Sequence, residues 1–407
     1  MALSAVPFPA RANQCVDAAA NAADIAWLID QIAAHYAYLP DRHIDIAKLR
    51  SLYIGEAGAV CEPHGFLGVL ETMLAELHDH HIEPTVNNAA SPQLVPSGAE
   101  AWAAFHKGRA IIEAVRPGSS LEKADLRGGD EVLSIGGVPV VQAVAAQSPR
   151  ALSAYDPEVD DYTLRVLLAG THSARRVFTL READGTLRQI DLPPHQGDSK
   201  GPLLTLTHPA PVAACIRIEN SLGDSALVPA FDAALEQVRA VPHLILDLRN
   251  TPSGGNTDVA EPILGRFIAG RTGYQRVFDP GPGRTFARDS SVRWVEARGP
   301  FQMKAGLTVL CDRWTGSMGE GMTIGLDGMK RAMTIGTRMA GLRGATQDFT
   351  LPHSGIVVSF PVERLYHLNG TPREAWRPDV MVDLAHPDDG DPILRRALDG
   401  ITVGVIR

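Results

Sequence analysis

The stretch TVLCDRWTGSMGEGMTIGLDG, from Thr308 to Gly328, decides how this sequence is interpreted. It opens with an apolar run that predicts a buried strand and breaks at Gly316-Ser317. Apolar residues then recur at helical spacing, at Met318, Met322, Leu326 and Met329. A strand that turns sharply into a helix puts the Ser317 hydroxyl at the helix N-terminus, where unpaired backbone N–H groups can stabilise an anion.

Two interpretations of Ser317 stay open on this stretch alone. A serine nucleophile needs an exposed Oγ with hydrogen-bond donors beside the developing oxyanion, and this turn supplies both. A serine that only caps the helix would fit the same pattern, because serine is a common N-cap residue.

Length and charge restrict the class of protein. A chain of 407 residues predicts two or three domains. A net charge of −9 argues against nucleic acid or an anionic membrane as the main partner. No run approaches the roughly 18 apolar residues of a membrane-spanning helix. The N-terminus lacks the pattern of an intact signal peptide, which leaves localisation open: periplasmic or secreted if a leader has been removed, otherwise cytoplasmic.

The four cysteines fall into two groups. Cys215 and Cys311 lie in apolar, strand-like runs and are expected to be buried thiols. Cys15 and Cys61 fall in the N-terminal part and could pair, a question the sequence leaves open.

Three domains are predicted. Residues 1–87 read as a helical domain, residues 100–195 as a β domain, and residues 200–407 as an α/β domain in which strands alternate with helices. A Pro-, Ser- and Asn-rich linker precedes the second domain. Within the third, the Gly-, Pro- and Arg-rich stretch 270–303 predicts a mobile flap. The fold class is therefore multidomain α/β.

The middle domain carries a long motif pair. PGSSLEKADLRGGD at 117–130 lies between two strand-like runs, and LSIGG at 133–137 follows it. This order closely resembles a bacterial PDZ domain, and two further strands, Tyr162–Leu168 and Arg176–Leu180, are expected after it. Such domains bind extended peptides by strand addition. No convincing carboxylate-binding loop is visible, so a role as scaffold or lid stays open.

The first domain ends in a histidine-rich segment, ELHDHHIEP at 76–84. A metal site on one helical face would need histidines at i and i+4, which this spacing does not provide. A solvated polar turn is the alternative interpretation, and no metal is predicted.

Four segments then stand in one order along the chain. They are LHDHH at 77–81, DLRNTPSGG at 247–255, TGSMGE at 315–320 and GTPREAWRPD at 370–379. With the PDZ-like insert, this ordered set resembles the superfamily of tail-specific (C-terminal processing) peptidases, which includes the tricorn core and the interphotoreceptor retinoid-binding protein. The resemblance implies a crotonase-like or ClpP-like catalytic domain.

The resemblance also implies roles for individual residues. Ser317 matches the nucleophile, His81 the base of the tricorn-like branch, and Glu374 the acid that supports the base. The backbone N–H groups of Gly255 and Met318 match the oxyanion donors. Glu320 is the competing acid, and its place one turn into the helix favours a role in packing or substrate orientation.

Three features distinguish this sequence within the superfamily. Leu342 stands where the tail-specific branch has a lysine base, which argues against a serine–lysine dyad. Ser253 is inserted between Pro252 and Gly254, and His80 lies beside His81, which is chosen only for its spacing to Asp79.

Two functions follow from the resemblance. The first is a serine endopeptidase that acts on peptides or exposed C-terminal tails, without a cofactor. The second is a non-catalytic binding protein on the same scaffold, as the retinoid-binding relative illustrates. A peptide-binding adaptor built on the PDZ-like segment is a weaker third interpretation. In each case the expected partner is a peptide, protein or small molecule, neither nucleic acid nor a membrane span is expected, and oligomerisation is left open.

Overall fold

A computed structural model describes residues 18–197, 201–384 and 390–402. The chain divides into two compact units and is a multidomain α/β protein, as predicted. Of the described residues, the first unit comprises 18–197 and 344–363, and the second 201–343, 364–384 and 390–402. The segment 344–363, which the sequence prediction includes in the third domain, thus groups with the first unit.

The first unit begins with helices. They are α1 (Ala18–His35), α2 (Ile46–Gly58) and α3 (Pro63–Ala75), with a 3-10 turn at Leu39–Asp41. Asp45 caps α2 by accepting the Lys48 N–H at 3.0 Å, and Pro63 fits the first turn of α3, where no backbone donor is needed. The apolar faces of these helices pack with Val358 and Phe360 into one core. This shared core explains why the late strand segment belongs to the helical unit.

A β-rich part completes the first unit. Its elements are β1 (Glu83–Pro84), β2 (Ala101–His106), β3 (Arg109–Val115), α4 (Ser120–Lys123), β4 (Glu131–Ile135), β5 (Val138–Pro139), α5 (Val140–Ala146), α6 (Glu158–Ala169), β6 (Arg176–Arg181), β7 (Leu187–Leu192), β15 (Ala345–Thr350) and most of β16 (Val357–Tyr366). One sheet has the order β2-β3-β4-β6-β7, with β5 paired to β4. Strands β1 and β15 both pair antiparallel with β16. The PDZ-like assignment of residues 100–195 stays a prediction.

One predicted strand is wrong. Residues 162–168 were expected to be extended, but they lie in α6. The buried residues of α6 include Val159, Thr163, Leu164 and Leu168, which recur with the helical period. Acidic residues in its first turn favour the helix N-terminus, and Gly170, with φ +74°, ends it.

The second unit is built on a mostly parallel sheet. Its elements are β8 (Leu204–Ala210), β9 (Ala213–Ile218), α7 (Leu227–Gln237), β10 (His243–Asp247), α8 (Thr257–Leu264), a 3-10 turn (Gly265–Phe267), β11 (Thr272–Phe278), α9 (Phe286–Asp289), β12 (Ser291–Val295), β13 (Gly306–Cys311), α10 (Met318–Gly328), β14 (Met333–Gly336), a 3-10 turn (Arg373–Ala375), β17 (Val380–Met381) and α11 (Pro392–Thr402). The sheet order is β17-β14-β13-β10-β9-β8, and only the β8–β9 pair is antiparallel.

Helices cover both faces of this sheet. Along β10, Leu244 and Leu246 point into the larger core, which also contains residues of α7, α8 and α10. Ile245 points the other way, into a core shared with α11. This alternation follows from the two-residue repeat of a strand, and burial on both faces is typical of a parallel sheet.

The stretch 270–303 contains regular structure. Strands β11 and β12 pair antiparallel within it, and α9 lies between them. It is therefore a β-hairpin with a short helix.

The cysteines agree with the sequence prediction where the structure describes them. Cys215 and Cys311 are buried, free thiols, and Cys61 is disulfide-bonded. Cys15, the partner proposed from the sequence, lies outside the described residues. No helix in the described part of the chain has the length and hydropathy needed to cross a bilayer.

Candidate active site

The carboxyl ends of three neighbouring strands bring the sequence motifs of the second unit together. Strands β10, β13 and β14 run parallel and adjacent. Each continues directly into a motif segment: 247–255 after β10, 312–317 after β13 and 337–343 after β14. In an open parallel sheet this edge is the usual position of a ligand site.

The turn between β13 and α10 holds Ser317 in an unusual conformation. Its φ is +46° and its ψ −105°, a region that non-glycine residues rarely occupy. Such a conformation costs about 1–3 kcal/mol and persists only where the surroundings impose it. A sharp, strained turn of this kind, between a strand and a helix, exposes the nucleophile in other serine hydrolases.

The side chain of Glu320 fixes this turn from below. It is fully buried, and its carboxylate accepts the backbone N–H groups of Ser317 at 2.9 Å, Gly341 at 2.9 Å and Leu342 at 3.1 Å. Burial raises the pKa of Glu320 to about 7, against the opposing effect of Arg373. Glu320 therefore ties the Ser317 turn to the loop after β14.

Arg373 binds the same two segments through their backbone carbonyl groups. Its guanidinium is 3% exposed and donates to the carbonyl of Ser317 at 3.2 Å and to that of Leu342 at 2.7 Å. It lies 4.0 Å from the Glu320 carboxylate. Sequence reasoning missed Arg373, although it directly precedes Glu374 in a motif that had been singled out.

Leu342 occupies the position at which the tail-specific branch of the superfamily has a lysine base. It is 5% exposed, and its backbone N–H and carbonyl bind Glu320 and Arg373 respectively. An aliphatic side chain cannot accept a proton, so this position contributes no base.

The glycine pair after β10 approaches Ser317 through Gly254. Gly254 has φ +61°, and a Cβ built there would lie 2.4 Å from the Ser317 Cβ and 3.1 Å from the Met318 nitrogen. Only glycine fits at so close an approach. A Cβ on Gly255 would instead meet the Leu222 backbone at 2.2 Å. The sequence reasoning had named Gly255 alone, and the contact of Gly254 with the turn was not foreseen.

The inserted Ser253 is accommodated by Asn220. Its backbone N–H donates to the Asn220 side chain at 2.9 Å, and the Asn220 amide donates to the Ser253 hydroxyl at 3.0 Å. The insertion therefore forms an exposed bend, whereas Gly254 still reaches the Ser317 turn.

The segment that carries Glu374 is anchored to both ends of α10. At the N-terminal end Arg373 binds the Ser317 carbonyl. At the C-terminal end Asp327 accepts the indole N–H of Trp376 at 3.0 Å and lies 3.2 Å from His367. Glu374 itself is half-buried, and its negative charge contributes to the raised pKa of Glu320. Both candidate acids, Glu374 and Glu320, therefore belong to the neighbourhood of the Ser317 turn.

The histidine segment belongs to the first unit, and its members have different surroundings. His78, 2% exposed, lies 2.9 Å from Asp156 through its Nε2, and burial lowers its pKa. The ring of His80 stacks on Tyr162 with centroids 4.4 Å apart. The backbone N–H of His81 donates to Asp79 at 3.0 Å, and Asp79 also accepts the Tyr36 hydroxyl at 2.8 Å.

Asp79 thus acts as a backbone anchor for His81. Within the described residues, no group of three or more His, Cys, Asp or Glu side chains is arranged to hold a metal ion.

Comparison with known proteins shows a likeness to a peptidase family. Residues 213–382, which are 170 of the 407 residues, match the model of peptidase family S41. The family is one of serine-type peptidases, so the resemblance inferred from the four motifs is confirmed at this level. A search of curated proteins found no significant match.

Solved S41-type structures share the fold. Mature CPAF is 16% identical with a TM-score of 0.61, over 94% of this chain and 96% of CPAF. The photosystem II D1 C-terminal processing protease is 19% identical with a TM-score of 0.58, over 92% of this chain and 96% of the protease. The histidine-based branch and the catalytic roles of single residues stay predictions.

Proposed function

We propose that this protein is a serine endopeptidase that hydrolyses peptide bonds in peptides or in exposed C-terminal tails of proteins. Ser317 is the nucleophile, His81 the general base, and Glu374 the carboxylate that orients His81. The observation that carries the proposal is the left-handed, strained conformation of Ser317 between β13 and α10. A serine that only capped the helix would have no need of that strain.

In the proposed reaction the Ser317 Oγ attacks the scissile carbonyl while His81 takes its proton. The Met318 N–H, at the first turn of α10, and the N–H of Gly255 donate to the resulting oxyanion. His81 then protonates the leaving amine, which leaves an acyl-enzyme on Ser317. Water, activated by the same imidazole, releases the acyl group and restores the serine.

The two glutamates are assigned by their hydrogen bonds. The Glu320 carboxylate accepts three backbone N–H groups and is fully buried, which suits a structural anchor. Glu374 is half-buried, and its charge acts on Glu320 beside the Ser317 turn, which supports its role as the acid that fixes the tautomer of His81.

Covalent labelling tests the nucleophile. A fluorophosphonate probe should label the wild-type protein, and Ser317→Ala should abolish the label while the protein stays folded. Full labelling of that variant would overturn the assignment. Paired peptide substrates with free and amidated C-termini, which differ in no other way, then test the preference for tails. Equal rates on the free and amidated peptides would mean that the protein is a general endopeptidase without a preference for C-terminal tails.

The alternative is a non-catalytic binding protein, and one observation favours it. The first unit contains a cavity of about 100 Å³ lined by apolar residues together with Glu71, His80, Tyr162 and His172. A protein that only binds ligands would not react with the probe. It would show a ligand-dependent rise in melting temperature that Ser317→Ala retains.

A further inference from the structure

The peptide unit between Ser317 and Met318 is held from one side by a buried cation. The Ser317 carbonyl accepts the N–H of Gly321 at 3.0 Å, the ordinary bond of the first helical turn. It also accepts a second hydrogen bond, from the Arg373 guanidinium at 3.2 Å. Ordinary helices need no such donor, because the carbonyl is already satisfied.

The direction of that carbonyl sets the direction of the next N–H group. A trans peptide is planar, so its C=O and N–H bonds point in opposite directions. Arg373 holds the Ser317 oxygen and therefore fixes the direction of the Met318 hydrogen, which lies in the same plane on the far side of the C–N bond. The Met318 N–H is the donor that the proposed function assigns to the oxyanion.

The glycine turn after β10 approaches this peptide unit closely. A Cβ built on Gly254 would lie 2.4 Å from the Ser317 Cβ, 3.0 Å from the Ser317 Oγ and 3.1 Å from the Met318 nitrogen. A side chain at position 254 would therefore collide with the residue that carries the proposed nucleophile and crowd the proposed donor, and glycine avoids that collision.

We infer that Arg373 is a positioning residue, which orients the Met318 N–H toward the oxyanion by holding the Ser317 carbonyl. The inference rests on the proposed function for its catalytic consequence. Arg373 also binds the Leu342 carbonyl at 2.7 Å, so one planar guanidinium holds both the Ser317 turn and the loop after β14. Lysine has a single ammonium group and cannot reproduce that two-carbonyl fork.

The kinetic test compares Arg373→Ala and Arg373→Lys with a buried arginine remote from the turn. Arg266 is fully buried and pairs with Asp232 at 2.7 Å, so Arg266→Ala is the matched control. Arg373→Ala should lower kcat by about 10²- to 10³-fold, the usual loss for an oxyanion donor, with KM changed less than about threefold. Arg373→Lys should fall between it and the wild type. Arg266→Ala should lower the melting temperature and leave kcat within about threefold.

Two further measurements separate positioning from folding. Guanidinium ion at millimolar concentration should restore part of the kcat of Arg373→Ala, and should do nothing for Ser317→Ala or Arg266→Ala. A peptide aldehyde, which forms the tetrahedral adduct, should lose affinity for Arg373→Ala by about the same factor as kcat. A rise in KM with kcat retained, or a loss without guanidinium rescue that simply follows the melting temperature, would overturn the inference.

A spectroscopic measurement makes the result independent of turnover. With ¹⁵N-labelled methionine, the Met318 amide signal, assigned through Met318→Leu, should shift in Arg373→Ala more than the other methionine amides and return with guanidinium. An unmoved Met318 signal contradicts the inference. If the Met318 signal moves but the wild-type protein neither hydrolyses peptides nor reacts with the fluorophosphonate probe, the proposed function is wrong. The orientation of the Met318 N–H by Arg373 is then still supported.

Discussion

The Ser317 turn and the histidine segment both carry a candidate catalytic side chain just outside a helix, but the two regions hold it differently. Around Ser317, two buried charged side chains bind the backbone on both sides: Glu320 takes its N–H and Arg373 its carbonyl. At His81, the backbone N–H donates to the Asp79 carboxylate at 3.0 Å. The candidate nucleophile is thus held by buried groups of both charges, whereas the backbone of the candidate base donates to a carboxylate two residues earlier in its own turn.

The comparison also shows how neighbouring histidines are separated into roles. His78 faces Asp156 and His80 stacks on Tyr162, so these rings serve packing and hydrogen bonding within the first unit. The same residue type in one short segment thus has three environments. Sequence spacing alone selects His81, and mutagenesis has to decide whether that selection is right.

Removing the nucleophile should have the largest effect. Ser317→Ala should lower kcat by about 10⁶-fold, as in other serine hydrolases, with the fold intact because Glu320 and Arg373 hold the turn through its backbone. Ser253→Ala, at an exposed serine on the neighbouring loop, is the control and should stay within about threefold of wild type. Comparable losses in the two variants would mean that the loop, rather than the Ser317 hydroxyl, limits the reaction.

Removing the base should come next. His81→Ala should lose on the order of 10³-fold or more in rate, and the wild-type kcat/KM should rise with pH through one ionisation near 6–7. His80→Ala should keep most activity and lose about 0.5–1.5 kcal/mol of stability from its stacking on Tyr162. The reverse pattern would move the base to His80 and show that spacing to Asp79 was a poor guide.

Substitutions of the two carboxylates near Ser317 should then have different effects, one mainly on kcat and the other mainly on stability. Glu374→Gln keeps the size but presents an amide that favours the wrong imidazole tautomer, so kcat should fall roughly 10²- to 10⁴-fold with little change in KM. Glu320→Gln keeps an oxygen for the Ser317 and Leu342 N–H groups, which share Oε2, but it loses the negative charge and places an amide group opposite the Gly341 N–H. It should lose about 1–3 kcal/mol of stability and less than about tenfold in kcat. Kinetics and chemical denaturation of both variants decide, and a crippled Glu320→Gln beside a near-normal Glu374→Gln would require a new catalytic set.

Local pattern was sufficient to predict the strand, turn and helix around Ser317, because apolar periodicity and the glycine break are written in consecutive residues. The ordered motifs were sufficient for the family. Periodicity also shows why the prediction for residues 162–168 is wrong: a strand was expected there to follow the PDZ-like motif pair, whereas the buried positions of α6 repeat with the helical period.

Local sequence patterns do not predict contacts between residues that are distant in sequence. Arg373 reaches a carbonyl 56 residues earlier in the chain, and nothing local to it predicts that bond. Likewise, choosing between Gly254 and Gly255 depends on which α-carbon approaches Ser317, and that is decided by the packing of Gly255 against Leu222. Both features depend on how three strand ends meet at one edge of the sheet.

The smallest effect expected is a pH dependence of stability that comes from the anchor of the Ser317 turn. Burial raises the pKa of Glu320 from 4.5 to about 7. Between those values the folded protein keeps a proton that the unfolded chain has released, so the free energy of unfolding falls as pH rises through the window. Glu320→Gln has no proton to release there. Its stability relative to wild type should therefore improve between pH 4.5 and 7, by on the order of 1–3 kcal/mol.

Denaturation curves at several pH values measure this difference, with Glu296→Gln as the control because its side chain is 75% exposed. If the free energies of unfolding of wild type and Glu320→Gln change with pH in the same way, Glu320 is already ionised throughout the window. Arg373 and the three backbone donors would then hold it in the charged form. In that case the carboxylate and guanidinium form a permanent ion pair beneath the turn. The Ser317 turn would then keep the same charged support at every pH at which the proposed base titrates.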